Sequence, residues 1–257
     1  MKIDLSEQVA VVTGAGGAIG RAVSLQLAEA GAKVLAVDVD RAAARETTER
    51  VSEAGGWGRF VEADVSRSED VAGYVRTATE AWGRIDIFMN NAGRQGPVLP
   101  MVECPDDAFD AVMAVNVRGV FLGLKHVLPV MIGQGSGAVV NTASLGSYIG
   151  TRHLGPYVAS KHAVMGLTKT AALEVIRAGV RVNAVCPGPV DTPLLRAIES
   201  GQAGEHADEL RKRRMNSIPQ GRYATPEEIA NVMVFLASNL AAHMVGQGVH
   251  VNGGSYA

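Results

Sequence analysis

Seven short apolar runs, each placed beside a stretch of helical spacing, constrain the fold of this chain more than any other feature. The runs are VAVVT (9–13), AKVLAVD (32–38), RFVEAD (59–64), IDIFMN (85–90), GAVVNTAS (137–144), VRVNAVCP (180–187) and GVHVNG (248–253). They lack the strict apolar–polar alternation of a strand with one wet face. They therefore read as strands buried on both faces, which is the mark of a parallel sheet covered by helices. Helical spacing covers 19–30, 41–54, 68–82, 106–132, 156–178 and 226–238. Ser68 is the expected N-cap of the third helix, Pro129 the expected break in the fourth, and Thr225–Pro226 the start of the last. Right-handed crossovers turn this rhythm into a doubly wound α/β sheet of seven mostly parallel strands with helices on both faces. The stretch 188–224 breaks the rhythm. It carries three prolines and a basic run, and so reads as an irregular excursion over the substrate.

At 257 residues and 47% hydrophobic content, the chain is expected to form one domain, 1–257, with 188–224 as its lid. The net charge of −2 gives no basic face for nucleic acid. Cys104 and Cys186 are isolated, without metal-ligand spacing, and fit a reduced, cytoplasmic setting. The polar start MKIDLSEQ lacks a signal-peptide core, and the apolar runs are short and broken by charge, so no membrane span is expected.

The first run leads directly into a glycine loop, VVTGAGGAIGRA (11–22), that opens a helix. Glycines let the backbone turn tightly and approach a ligand, and the helix start offers free N–H groups to phosphate. A plain structural turn would use the same residues. Asp38 ends the second strand, where a carboxylate accepts bonds from adenosine ribose hydroxyls and repels a 2′-phosphate. An isolated aspartate there also serves as a helix N-cap or loop acid. The loop from Gly14 to Gly20 holds no Arg or Lys, and Arg41 follows two acids, Asp38 and Asp40.

The loop resembles that of the short-chain dehydrogenase/reductase family, a Rossmann-type fold, whose classical members read TGxxxGxG. Thr13, Gly14 and Gly20 match, but Ala18 stands at the middle glycine, and Gly17 falls one place early. Gly14, Gly17 and Gly20 also fit the TGxxGxxG spacing of the extended branch. The resemblance covers nearly the whole chain. It assigns Gly14, Gly16, Gly17, Ala18, Ile19 and Gly20 to the cofactor phosphates, Asp38 to the ribose, and Asp64 and Val65 to adenine. Asn91, Ala92 and Gly93 of NNAG, Pro187–Gly188 with Val190, and Thr192 border the rest of the cofactor. The implied catalytic set is Asn116, Ser144, Tyr157 and Lys161. YVASK places Tyr157 and Lys161 four apart, on one helix face. A tyrosine of pKa about 10 is a poor base at neutral pH, and a lysine ammonium nearby favours its phenolate. In the family, Lys161 also holds the nicotinamide ribose, and Asn116 holds a water that links Lys161 to solvent.

Other residues carry weaker implications. Gln95, Gly146, Ser147, Leu154 and Leu194 follow motif ends and are candidates for the substrate wall, beside Ser144 and Tyr157. His162 reads as pointing elsewhere on its helix, and His153, in the loop before Tyr157, reads as a surface residue, with substrate contact as the alternative. Arg211–Lys212–Arg213–Arg214 reads as a solvated helix face, with attraction of an anionic substrate as the alternative. The family reading is an NAD-dependent oxidoreductase acting on a secondary alcohol or ketone, without a metal, as a homotetramer. YxxxK spacing disfavours the enoyl-reductase branch. Two rivals stand beside it: a 3-oxoacyl-thioester reductase, which Asp38 disfavours, and a nucleotide-sensing protein without chemistry, which the retained Tyr157 and Lys161 disfavour.

Overall fold

The computed structural model describes residues 3–256, so the first two residues and the last of the expected span lie outside it; the side chain of Ala197 is also not described. Strands β1 (Val9–Thr13), β2 (Lys33–Asp38), β3 (Trp57–Glu62), β4 (Ile87–Asn90), β5 (Gly137–Thr142), β6 (Val180–Pro187) and β7 (Gly248–Val251) form one sheet. Their order is β3-β2-β1-β4-β5-β6-β7, and every pairing is parallel. The order reverses between β1 and β4. An open α/β sheet binds its ligand in the crevice at the carboxyl ends of the strands beside such a reversal.

Neighbouring residues of one strand feed opposite cores. On β1, Val11 packs into one cluster and Ala10 and Val12 into the other. The first core lies under helices α3 (Ser68–Trp82), α5 (Gly119–Gln134) and α6 (Gly155–Val175). The second lies under α1 (Ala18–Glu29), α2 (Arg41–Glu53) and α9 (Pro226–Ala237). This is why the strand sequences show no alternation: both faces are dry. The edge strands β3 and β7 are only half-buried or exposed.

The structure moves several expected boundaries. β3 starts and ends two residues earlier than the apolar run, which leaves Asp64 beyond the strand end. β5 ends at Thr142, so Ser144 opens a 3-10 turn instead of closing the strand. Arg67, not Ser68, caps α3, and the Ser68 hydroxyl bonds the His126 ring instead. Pro129 does not break its helix. The missing N–H forfeits one bond, but Leu122, Leu124, Val127, Leu128 and Met131 are buried along the same helix and hold it to Gln134. Helix α4 (Asp106–Met113) joins α5 through a wide π turn, Ala114–Arg118, centred on Asn116. Together, Asp106–Gln134 are long and apolar enough to cross a membrane by composition, in contrast to the expectation, yet half of the apolar stretch is buried in the fold. The expected irregular excursion contains two helices, α7 (Pro193–Ala203) and α8 (Ala207–Ser217).

Candidate active site

The site is assembled where β1, β4, β5 and β6 deliver their carboxyl ends. After β1, the glycine loop folds back so tightly that a Cβ on Gly20 would lie 2.0 Å from the Gly14 carbonyl oxygen. Gly14 itself has φ +65°, a conformation costly for any other residue. By contrast, a Cβ on Gly17 would meet nothing closer than 3.4 Å. Gly17 caps α1 without any side-chain bond, so the helix start presents unoccupied N–H groups. Ala18 and Ile19 form the first turn. The Asp38 carboxylate lies against this loop. Oδ2 accepts the Gly16 N–H (2.9 Å) and Oδ1 the Asp40 N–H (3.0 Å). A carboxylate has about four acceptor positions, so room for further donors remains. Next to it, a cleft is lined by Val39, Arg41, Phe60, Asp64 and Arg67. Arg41 stands over the Phe60 ring at 5.3 Å and 3.9 Å from Glu62. Asp64 is engaged locally, accepting the N–H and hydroxyl of Ser66. Val65, next to it, is buried. These features fit a dinucleotide: a tight glycine loop without side chains, an uncapped helix start, and a carboxylate bonded to that loop with acceptor positions to spare.

After β4, Asn91 binds the first loop. Its Nδ2 donates to the Thr13 carbonyl (3.0 Å), and the Asn91 and Ala92 N–H groups donate to Thr13 Oγ1. Thr142 Oγ1 donates to Asn91 Oδ1 (3.0 Å), which ties β5 to the same junction. Gly93 then passes between two site residues: a Cβ there would lie 3.4 Å from Asn116 Oδ1 and 3.5 Å from Lys161 Nζ.

Asn116 owes its inward position to the π turn, a deformation often found at functional sites. Its amide clamps Arg94, accepting the N–H and donating to the carbonyl, both at 2.8 Å, and it donates to Ser160 Oγ at 2.9 Å. Ser160 Oγ in turn donates to the Tyr157 carbonyl. On α6, Lys161 Nζ donates to the Thr142 carbonyl at 2.7 Å and lies 5.6 Å from the Tyr157 ring centre. Burial pushes the Lys161 ammonium down to about 8. The Tyr157 hydroxyl is raised by burial, while its hydrogen bond with Ser144 works in the opposite sense. Ser144 Oγ also accepts the Gly146 N–H at 3.1 Å. Beneath them, the buried Cys186 thiol is pushed up to about 11 by desolvation, which makes it a poor nucleophile.

The remaining expected residues divide. Pro187 ends β6, and the Gly188 N–H donates to the Val251 carbonyl. Val190 pairs with Ala224 and is buried. Thr192 caps α7 by accepting the Leu195 N–H. Leu194 is exposed, and Leu154 precedes α6. Ser147 turns into the fold, its hydroxyl spent on the Lys161 carbonyl at 2.8 Å, so it cannot serve as an open substrate donor. The basic run also divides. Lys212 and Arg213 are exposed, whereas Arg211 and Arg214 turn toward the buried Glu199 of α7. Glu199 also accepts the Tyr223 hydroxyl at 2.5 Å, and Arg211 reaches Asp191 at 3.0 Å. Among the described residues, no group of three or more His, Cys, Asp or Glu side chains is placed to hold a metal.

Sequence reasoning overlooked Ser160 and Thr142 as members of this network and read Thr13 only as part of the glycine-loop match. Ser160 lies inside YVASK, adjacent to Lys161, and was the one with a signal in plain view.

Comparison with known proteins agrees with this geometry. A family model described as enoyl-(acyl carrier protein) reductase matches residues 14–256. Levodione reductase of Leifsonia aquatica is 39% identical over 98% of this chain and 95% of its own length. A 3-oxoacyl-[acyl-carrier-protein] reductase of Staphylococcus epidermidis is 36% identical over 96% of this chain and 98% of its own. A crystal structure of levodione reductase superposes with a TM-score of 0.95 at 38% identity, covering 97% and 98% of the two chains. NAD+-bound xylitol dehydrogenase gives 0.94 at 35%, over 97% and 99%. An actinorhodin polyketide ketoreductase variant with NADPH gives 0.91 at 35%, over 96% and 97%. The chain belongs to the short-chain dehydrogenase/reductase family. It is an oxidoreductase with the fold and site of a nicotinamide-dinucleotide enzyme.

Proposed function

We propose that the protein transfers hydride between a secondary alcohol or ketone and a nicotinamide cofactor, NAD in preference to NADP, with Tyr157 as the acid–base group. The observation that carries this reading is the Lys161 ammonium 5.6 Å from the Tyr157 ring, with Ser144 near enough to the Tyr157 hydroxyl to oppose the rise that burial imposes on it. When bound, the nicotinamide supplies or accepts the hydride. Gly14, Gly16, Gly17, Ala18, Ile19 and Gly20 would hold the pyrophosphate, Asp38 the adenosine ribose, and Asp64 and Val65 the adenine side. Asn91, Ala92, Gly93, Pro187, Gly188, Val190 and Thr192 would border the nicotinamide half. Ser144 holds the substrate oxygen by a hydrogen bond. In reduction the Tyr157 hydroxyl delivers a proton to that oxygen; in oxidation the phenolate takes it away. Lys161 favours the phenolate by its charge. Asn116 fixes the Arg94 backbone and Ser160, and through them the neighbourhood of Lys161.

The preference for NAD rests on Asp38. Its carboxylate would meet a 2′-phosphate as a like charge, and Arg41, three residues on in the sequence, is shared with Glu62 and Phe60. Among the similar structures, xylitol dehydrogenase carries NAD+ and the polyketide ketoreductase NADPH, so the family itself leaves both cofactors open. A second reading, 3-oxoacyl-thioester reduction, is favoured by the 36% identical Staphylococcus relative and opposed by Asp38. The four-residue step from Tyr157 to Lys161 favours carbonyl over enoyl reduction. We further read 1–257 as one cytoplasmic catalytic unit with 188–224 as its lid.

The test is steady-state turnover of a panel of secondary alcohols, ketones and a 3-oxoacyl thioester with each cofactor. The expected outcome is turnover of an alcohol–ketone pair, with kcat/KM for NAD about 100-fold above NADP, which corresponds to about 2.7 kcal/mol. Preference for NADP, or turnover of the thioester alone, would overturn the reading.

A further inference from the structure

We infer that Tyr148 is a positioning residue for hydride transfer: backed by the rings of His250 and Tyr256, it fixes the turn that carries Ser144. This deepens the hydride-transfer reading and rests on it, since Ser144 is there the residue that holds the substrate oxygen. Ser144 stands at one end of a single 3-10 turn, Leu145–Ser147, and Tyr148 at the other. The Ser147 N–H donates to the Ser144 carbonyl (2.9 Å) and the Tyr148 N–H to the Leu145 carbonyl (3.0 Å). Two ends so closely bonded cannot shift independently. The turn also lies beside the acid–base group: a Cβ on Gly146 would be 3.5 Å from Ser144 Oγ and 3.7 Å from Tyr157 Cε1. Ser147 ties the turn to α6 through the Lys161 carbonyl, and Tyr148 ties it to the other side of the molecule.

The Tyr148 side chain reaches the last two strands. Its ring centre lies 4.6 Å from that of His250 and 5.8 Å from that of Tyr256, and the latter two are 5.2 Å apart. Tilted aromatic rings attract one another at such separations. The hydroxyl of Tyr148 lies over Gly248. A Cβ there would collide with it, and would stand 2.9 Å from Met165 Cε and 3.1 Å from Cys186 Sγ. Glycine at 248 is therefore what admits the phenol. The backing is firm. His250 pairs with Cys186 in the β6–β7 register. The Gly188 N–H donates to the Val251 carbonyl (2.9 Å) and the Gln220 N–H to the Gly253 carbonyl (3.0 Å). Burial pushes the Tyr148 hydroxyl up to about 12, so it stays neutral and acts as a brace, not as a second proton donor and acceptor. Loosening this brace would leave the cofactor bound but misplace the substrate oxygen, and a small misplacement of reacting atoms is costly.

The test is a double-mutant cycle between Tyr148 and Ser144. The parent, Tyr148→Leu, Ser144→Ala and the double variant are each first checked for NADH binding to establish folding. The measured quantity is the single-turnover rate of NADH oxidation at saturating cofactor, with cyclohexanone or whichever ketone the parent reduces fastest. Tyr148→Leu is expected to keep its NADH affinity and to lose about tenfold or more in rate. In the Ser144→Ala background the same change should cost about twofold or less, because no hydroxyl remains to be misplaced. A merely structural role would cost the same in both backgrounds. A second pair tests the brace from the other side. Gly248→Ala should slow the reaction by driving the Tyr148 hydroxyl aside. Adding Tyr148→Phe, which removes that hydroxyl and keeps the stacked ring, should restore most of the rate. This pair decides the matter where Tyr148→Leu fails to bind NADH. An unchanged rate in Tyr148→Leu, an equal loss in both backgrounds, or a Gly248→Ala defect that Tyr148→Phe does not relieve would overturn the assignment while leaving hydride transfer intact. Absence of turnover by the parent on every ketone would overturn hydride transfer to this class of compound, and the assignment with it.

Discussion

Lys161 has two claims on its ammonium, the Thr142 carbonyl and the ring of Tyr157, and on the proposed reading the balance between them sets the chemistry of the site. Burial lowers Lys161 to about 8 and raises Tyr157, so both residues are pushed toward their neutral forms. A neutral Tyr157 is the acid required for ketone reduction, and its phenolate is the base required for alcohol oxidation. Reduction should therefore fall, and oxidation rise, as pH increases through the Tyr157 titration. Replacing Lys161 by Met removes a cation that favours phenolate, so the oxidation limb should move to higher pH. A pH profile of kcat/KM for alcohol oxidation measures this, and an unmoved limb would show that Lys161 does not act on the proton of Tyr157. At this scale the sequence was most readable where spacing alone brings residues together, as in YVASK. Thr142 was hidden because its carbonyl, not its side chain, receives Lys161 from 19 residues away. Ser160 stood in plain view inside YVASK, but its role was not readable because its partner Asn116 is 44 residues distant. Ser147 follows a motif in sequence, yet its hydroxyl turns into the fold toward the Lys161 carbonyl, which spacing alone does not reveal.

Elements were legible where burial dictates pattern and obscure where it does not. The seven strands and most helices follow from apolar periodicity, and the Thr225–Glu228 capping box marks α9 in sequence and structure alike. Pro129 misled because a local rule was overruled by tertiary packing along α5. Helix α8 showed only as a basic run read as a solvated helix face, for the opposite reason. It has no buried residue to report it, and it is held by charge: Arg211 and Arg214 face Glu199, which also binds Tyr223 on the return segment. This network links α7 to α8, and the Val190–Ala224 pairing closes the base of the excursion. The segment 190–218 is therefore expected to behave as one unit over the substrate. Hydrogen exchange of its amides should slow when cofactor and substrate are both present. Equally fast exchange with and without them would remove the lid from the account.

For the whole molecule, homotetramer formation was expected from the family resemblance, with the apolar late helix and the final strand as added motives. The structure spends the first of these internally: Ile229, Ala230, Met233, Val234, Leu236 and Ala237 are buried within the chain's own core. What remains for a second copy is the open edge of β7 and an apolar groove lined by Met113, Ala114, Val117, Phe121 and Leu167, with Asp110 and Arg118 at its rim. An unpaired edge and an exposed apolar face both gain from being covered. Sedimentation at micromolar concentration should give a tetramer, and a monomer would leave these surfaces without their occupant.

The central claim is that the Tyr157 hydroxyl moves the proton while the rest of the site holds cofactor and substrate in place. Tyr157→Phe removes that hydroxyl and keeps the ring, so it tests the claim most directly. Two quantities are measured on the purified variant: NADH affinity, and the rate of hydride transfer on a substrate whose chemistry limits turnover. The account predicts NADH binding close to that of the parent and a rate lower by about 10²–10⁴-fold, the usual worth of general acid–base catalysis. Near-normal turnover in the variant would contradict it.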